Sequence, residues 1–462
     1  GRRGAVNAAG DCAECADEEA DCGGGVTGHE RGFYILPSQR VGNVRRRAAA
    51  DPNLNETLSN IFHAIENSAK GAASEEDMKG LFADIDVNSN KLGATVQKRN
   101  ETLVKILDKI GDMKFGNLAD NQIDTFGDAY EFLMTMYASN AGKSGGEFFT
   151  PQEVSELLAR ITLVGKKQVN KVYEPSGGVR ELIVNDDKVR GKVNVPEGVH
   201  GQGVTITSYS RVRVHMFRHD INDEKSDCAW GDMLLASNHW DDEPFECIVS
   251  NPPYSIKWAG DENPLLINDP RFSPAGILAP KSKADLAFTM HMLSWLATNG
   301  TAAIVEFPGV LYRGGAEQKI RKYLIDNNYI DTVIQLPANL FFGVGIATCI
   351  IVLKKSKKDN ATLFIDASGE FIHEGNKNKL SAANIARILD AFVARKDDAH
   401  FARLVENGKI AENDYNISVS SYVEQPDTRE EVDIDELNKR IAEIVARQNV
   451  LRTAIDAIVA TL

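Results

Sequence analysis

Cys247-Ile248-Val249-Ser250-Asn251-Pro252-Pro253-Tyr254 runs from a short apolar strand directly into two consecutive prolines. Strands of the same kind recur on both sides of it, at Val172-Tyr173, Val204–Ile206, Ala302–Glu306, Thr332–Gln335 and Cys349–Leu353. Helical spacing fills most of the intervals, and this alternation predicts a doubly wound α/β sheet. Sheets of that type bind ligands at the carboxyl ends of their strands, where Asn251 would stand.

The tetrad Asn251-Pro252-Pro253-Tyr254 has a definite chemistry. The prolines fix φ and remove two backbone donors, so nearby carbonyls are not consumed by a helix or sheet. The Asn251 side-chain oxygen and the Pro252 carbonyl can both accept hydrogen bonds from one planar NH₂ group. Tyr254 offers a flat face on which a heterocycle extruded from a duplex can stack. No strong base or nucleophile is present, which argues against covalent or hydrolytic chemistry. The group is suited to setting an amine in line with an electrophile, with rate gained from geometry.

At 462 residues the chain has room for two or three domains, with 43% hydrophobic and 26% charged residues. No apolar run approaches the roughly 18 to 20 residues a membrane helix needs, and no secretory h-region opens the sequence, so the expected location is the cytoplasm. The net charge of -14 disfavours a chain that grips DNA alone and favours a partner that supplies the grip. Lys319, Arg321 and Lys322, and Lys354, Lys355, Lys357 and Lys358, are candidate phosphate contacts, with solvated charge runs as the plainer reading. Cys12, Cys15, Cys22 and His29 lack the spacing of a standard zinc finger, and no metal is expected. Asp86, Asn88 and Asn90 open like a calcium loop, but Lys91 and Gln97 occupy the positions that require Gly and Glu. Neither a P-loop nor a clear acidic metal-binding cluster with a lysine is found, which disfavours a restriction nuclease.

The flanks divide the chain further. Residues 1–42 read mostly as a disordered leader, poor in bulky apolar residues. Leu54, Leu58, Ile61, Phe62 and Ile65, then Val104, Ile106, Leu107 and Ile110, have helical spacing and predict a helical domain over 43–142. The catalytic domain would span 143–425. In 426–462, Leu437, Ile441, Ile444, Gln448, Leu451, Ile455, Ile458 and Leu462 alternate by four and three, the seam of a coiled coil.

The tetrad resembles the catalytic motif of amino-methyltransferases acting on adenine N6 or cytosine N4. Gly145-Gly146-Glu147-Phe148-Phe149-Thr150-Pro151, Phe272-Ser273-Pro274-Ala275-Gly276, Lys281-Ser282-Lys283-Ala284-Asp285 and Tyr312-Arg313-Gly314-Gly315-Ala316-Glu317 resemble the methyltransferase subunit of type I restriction-modification systems in particular. The resemblance runs from about residue 34 to the C-terminus. It implies a Rossmann-like sheet dependent on S-adenosylmethionine, an N-terminal helical domain and a C-terminal coiled-coil helix. Asn251, Pro252, Pro253 and Tyr254 would be catalytic, acting on a flipped adenine. Glu147, Phe148, Phe149, Thr150 and Pro151 would close over the cofactor's methionine moiety. Glu174, Pro175 and Gly178 would form its loop, Asp232 would meet its adenine, and Asn251 would also touch it. DNA, a sequence-reading specificity subunit, a second methyltransferase subunit and a restriction (motor and nuclease) subunit are the implied partners, with the heptad helix as docking element.

Two residues depart from that pattern. Arg180 stands where the resemblance expects the second Gly of the cofactor loop. Gly203 stands where it expects a carboxylate for the ribose hydroxyls, a charged hydrogen bond worth roughly 1.5 to 3 kcal/mol. They support an alternative, a cofactor-binding-defective scaffold subunit of the same complex. Protein-glutamine N5 methyltransferases share the tetrad and are the remaining rival; Phe148-Phe149-Thr150-Pro151, the helical domain and the heptads argue against that class.

Overall fold

A computed structural model describes residues 33–112, 150–176, 195, 198–203, 226–239, 243–341, 344–425 and 434–460, with gaps at 73, 84, 261–262, 264 and 376. The Cys12–His29 cluster, Glu147, Phe148, Phe149, Gly178 and Arg180 lie outside the described residues.

The strands are β1 (Val172–Glu174), β2 (Val199–Gly203), β3 (Ser226–Trp230), β4 (Phe245–Ser250), β5 (Leu296–Glu306), β6 (Ile330–Gln335), β7 (Cys349–Lys354), β8 (Ala361–Asp366), β9 (Ile372–Glu374), β10 (Lys377–Lys379) and β11 (Ala402–Glu406). Nine of them form one sheet in the order β11-β8-β6-β7-β5-β4-β1-β2-β3, and β9 and β10 pair as a separate hairpin. Strands β1 to β5 run parallel to their neighbours, while β7 enters antiparallel between β5 and β6. The order reverses at β1: the chain leaves it toward β2 and β3, then returns to β4 on its other side. That reversal opens a crevice at the carboxyl ends of β1 and β4.

Alternation along β5 builds the core. Ala302 and Ile304 join the apolar cluster on one face, Ala303 and Val305 the cluster on the other. Helices α4 (Gln152–Leu163) and α7 (Ala382–Ala394) cover the second face through Val154, Leu157, Leu158, Ile161, Ile385, Ile388 and Phe392. Helices α5 (Asp285–Trp295) and α6 (Ala316–Asp326) cover the first. Ten residues of α5 are buried, so this helix is enclosed nearly all round.

Ahead of the sheet, α1 (Val41–Ala48), α2 (Leu54–Ser68) and α3 (Val96–Asp112) share a small core of Val44, Ala48, Leu54, Leu58, Val87 and Leu103. Arg45 ties α1 to α3 through Asp108 and Asp112. A 3-10 turn at Pro37–Gln39 precedes α1. Residues Glu424–Leu462 form a separate unit, whose helix α8 (Ile434–Val459) exposes the apolar stripe Leu437, Ile441, Ile444, Leu451, Ile455 and Ile458. No helix among the described residues is long and apolar enough to cross a membrane.

The second strand is Val199–Gly203 and ends at Gly203, where the resemblance puts the strand end; the expected strand Val204–Ile206 lies outside the described residues. Its residues Val199-His200-Gly201-Gln202-Gly203 lack the apolar run that marks a buried strand. Strands β3, β8 and β11 were also not expected.

Candidate active site

The crevice is lined at its base by the ends of β1 and β4. Glu174, the last residue of β1, is fully buried, and its carboxylate accepts from the Ser176 N–H at 2.9 Å and from the Ser176 hydroxyl. The Ser250 hydroxyl at the end of β4 donates to Ser176 Oγ at 3.0 Å. The two strand ends are thereby bound together across the topological switch, with Pro175 in the turn between Glu174 and Ser176.

Asn251 follows immediately. Its Nδ2 donates to Thr150 Oγ1 at 2.9 Å, and its Oδ1 accepts from the Tyr254 hydroxyl at 2.6 Å. Thr150 and Pro151 are buried ahead of α4, with Pro151 its N-terminal flanking residue. A segment 101 positions upstream in sequence thus meets the tetrad. Tyr254 is nearly buried, its ring centroid 6.1 Å from that of Phe307 and 6.2 Å from that of Phe341. Burial and the nearby Glu306 carboxyl push its hydroxyl well above the usual tyrosine range, so it stays a protonated donor. Among the described residues no hydrogen bond is made to the Pro252 carbonyl. Pro253 is half-buried beside it.

Asp232 stands in the turn after β3, across the crevice from the tetrad in strand order. Its Oδ1 accepts from Leu234 N at 2.9 Å and its carbonyl from Leu235 N and Ala236 N. The turn is held from beneath by Arg271, which sequence reading overlooked. All five guanidinium hydrogens are used: Nε and one Nη2 hydrogen on Asp269, the other Nη2 hydrogen on the Leu234 carbonyl, and Nη1 on the Met233 carbonyl and His291 Nδ1. Arginine only donates, so His291 Nδ1 accepts and its proton sits on Nε2, 3.1 Å from the Tyr173 hydroxyl. Burial, then Arg271, lowers His291 to about 3.

Gly203 ends β2 and pairs with Trp230; its carbonyl accepts from Gly231 N at 3.0 Å. No side chain projects there. Two further carboxyls beside the tetrad, Asp285 of the quoted Lys281–Asp285 motif and Glu306 at the end of the expected strand Ala302–Glu306, were not named as site residues. Glu306, fully buried at the end of β5, accepts from Thr289 Oγ1 at 3.0 Å, and burial holds it well above the usual carboxylate range. Asp285, also buried, accepts from Ser255 N at 2.8 Å.

Four of the seven candidate phosphate contacts are placed or engaged away from this site. Lys354 ends the antiparallel β7, which places it at the opposite rim of the sheet. Lys355 and Lys357 are spent on the carbonyls of Leu296, Ile330 and Ala361, and Arg321 is buried against those of Val310 and Tyr415.

The N-6 DNA Methylase family matches residues 121–431. The MpnII methylase subunit of a type I restriction enzyme from Mycoplasma pneumoniae is 47% identical over 93% of this chain and 82% of its own length. The MjaVIII methylase subunit from Methanocaldococcus jannaschii is 30% identical over 86% of this chain and 72% of its own. A crystal structure of a type I restriction-modification methyltransferase subunit from Streptococcus thermophilus superposes with a TM-score of 0.76 at 37% identity, covering 86% of this chain and 83% of that one. The chain belongs to the N-6 DNA methylase family, among the methylase subunits of type I restriction enzymes.

Proposed function

We propose that the chain methylates adenine N6 in DNA, using S-adenosylmethionine, as the methyltransferase subunit of a type I complex whose specificity subunit chooses the site. The carrying observation is Asn251 at the tip of β4, at the switch point, with its amide oxygen held by a hydroxyl that an incoming amine can replace.

The residues fit the cofactor along one side of the crevice. Glu174, Pro175, Thr150 and Pro151 lie beside Asn251, and Asp232 stands past β3; these residues would hold it. S-adenosylmethionine, when bound, supplies an electrophilic methyl group. The Asn251 amide is oriented by Thr150, which fixes its nitrogen as donor and leaves Oδ1 toward the Tyr254 hydroxyl. An adenine amine entering the site takes the place of that hydroxyl on Oδ1 and gives its second hydrogen to the Pro252 carbonyl. Tyr254, released, turns its ring to the base. These contacts would orient the nitrogen lone pair toward the methyl carbon; as the N–C bond formed, the methyl–sulfur bond would break with its electron pair left on sulfur as a neutral thioether, and the nitrogen would lose one proton to water. Rate gain comes from alignment.

The exposed stripe of α8 is the docking element for the specificity subunit, and two methyltransferase subunits and a restriction subunit complete the assembly. Gly203 favours a second reading, a scaffold that binds the cofactor weakly. Calorimetric titration of S-adenosylmethionine into the chain, followed by methylation of target DNA with the specificity subunit, separates them. Saturable binding and N6-methyladenine support the first; no binding, restored by Arg180→Gly with Gly203→Glu, establishes the second.

A further inference from the structure

The loop after the tetrad makes an unusual turn. Ser255 has φ +50°, a left-handed conformation that a residue with a Cβ rarely adopts. Something must hold it there. Its N–H donates to Asp285 Oδ1 at 2.8 Å, and its hydroxyl lies 3.5 Å from the same oxygen. Asp285 is the first residue of α5 and only 1% exposed. Its other oxygen, Oδ2, is buried with no hydrogen-bond partner, a costly state for a group kept only for packing. The next turns of chain are joined to the same segment: Ala284 N donates to the Ile256 carbonyl, Trp258 N to the Lys281 carbonyl and Trp258 Nε1 to the Pro280 carbonyl. One helical turn along α5, Thr289 donates to Glu306 at the end of β5. Helix α5 therefore connects the residue after Tyr254 with the strand end before Phe307, the ring beside which Tyr254 packs.

We infer that Asp285 is a positioning residue for methyl transfer: by holding the Ser255 N–H it sets the backbone on which Tyr254 and the Pro252 carbonyl stand. This rests on the reading of the tetrad given above. The carboxylate touches no reacting atom; it acts through Ser255. The same oxygen of an asparagine could serve the N–H, whereas alanine leaves Ser255 in a strained conformation without its partner.

The test uses the chain assembled with its specificity subunit and target DNA, with two readouts. Hydrogen exchange of the 251–258 segment reports the loop alone, and single-turnover methylation reports chemistry. Asp285→Ala is expected to speed exchange at Ser255 and to lower the methylation rate by about 10²-fold, the scale of a small misplacement of reacting groups. Asp285→Asn should retain most of the rate, and affinity for S-adenosylmethionine should be unchanged in both. Adding Ser255→Gly to Asp285→Ala should recover several-fold of the loss, because Gly adopts positive φ freely; a role confined to starting α5 would show no such rescue. Unchanged exchange at Ser255, or a rate for Asp285→Ala within about threefold of the parent, overturns the inference. Should the parent complex bind cofactor and DNA yet transfer no methyl, the methylation reading fails, and the exchange arm still decides whether Asp285 holds the loop.

Discussion

On one side of the switch point, β4 and β5 are built from apolar residues that alternate between two cores; on the other, β2 reads Val199-His200-Gly201-Gln202-Gly203. The β4 side holds its loop by burial and a few short hydrogen bonds. The β2 side relies on side-chain amides and imidazoles. Gln202, fully buried, donates to the carbonyls of Gly231 and Ala236 and accepts from Asn238 N. His239 meets the Gly201 carbonyl at 3.1 Å, and His200 packs edge-on to His239 and Phe245. The half that presents the amine acceptors is thus rigid and apolar, while the half that would seat the nucleoside is a polar network. Damage to the first should be chemical. Damage to the second should be felt as affinity and pH sensitivity.

The largest effect expected is chemical. Asn251→Ala removes the acceptor for the adenine amine and leaves Thr150 and Tyr254 without their partner. Loss of one preorganised hydrogen bond at a reacting centre commonly costs about 10²- to 10³-fold in turnover. Methylation by the assembled complex should fall by that factor, with a smaller loss of affinity for S-adenosylmethionine, titrated calorimetrically, since Asn251 is one of several residues that would meet the cofactor. An equal loss in both quantities would break the contrast, because the two halves would then act as one unit.

A smaller effect is expected beneath the other half. His291 is neutral in the fold at about 3, against 6.5 for the free side chain. The unfolded chain therefore binds a proton that the folded chain refuses between those values. The stability this contributes is fully present above about 6.5 and is lost as pH falls toward 3. At pH 5 the loss amounts to about 2 kcal/mol. Denaturant melts between pH 7 and pH 5 should show this slope in the parent and a shallower one in His291→Gln. Parallel slopes would mean that His291 takes its proton in the fold, against Arg271.

Legibility in the sequence follows the same division. The strand before Asn251, the strands β5, β6 and β7, and the helical spacing of α2 and α3 were all readable because apolar periodicity is what burial selects. The tetrad was readable because consecutive prolines after a strand have few structural uses. Thr150 and Pro151 came from the family resemblance alone; nothing local says that they meet Asn251. The run Val199–Gly203 was not readable as a strand because its burial is satisfied by Gln202 and two glycines, residues that carry no strand signal. Arg271 escaped notice, and Asp285 and Glu306 were named without a place beside the tetrad, because a buried charge looks like a surface charge until its partners are known.

The smallest predicted effect probes the contrast at its weakest point. Gly203 ends β2 at the same rim as Glu174 ends β1, with no side chain to offer. If the nucleoside lies across these two strand ends, a carboxylate at 203 gains a charge-assisted hydrogen bond with its ribose hydroxyls. The low end of that gain, about 1.5 kcal/mol, corresponds to roughly tenfold in affinity. Gly203→Glu should therefore lower the dissociation constant for S-adenosylmethionine by about tenfold, with turnover at saturating cofactor unchanged, since nothing at Asn251 has moved. Gly203→Gln should gain less, because a neutral acceptor makes the weaker bond. Calorimetry on the three chains decides the point. Equal affinity in all three would place the ribose away from β2, and the polar half of the sheet would then be a structural support for the turn at Asp232 without being part of the cofactor's seat.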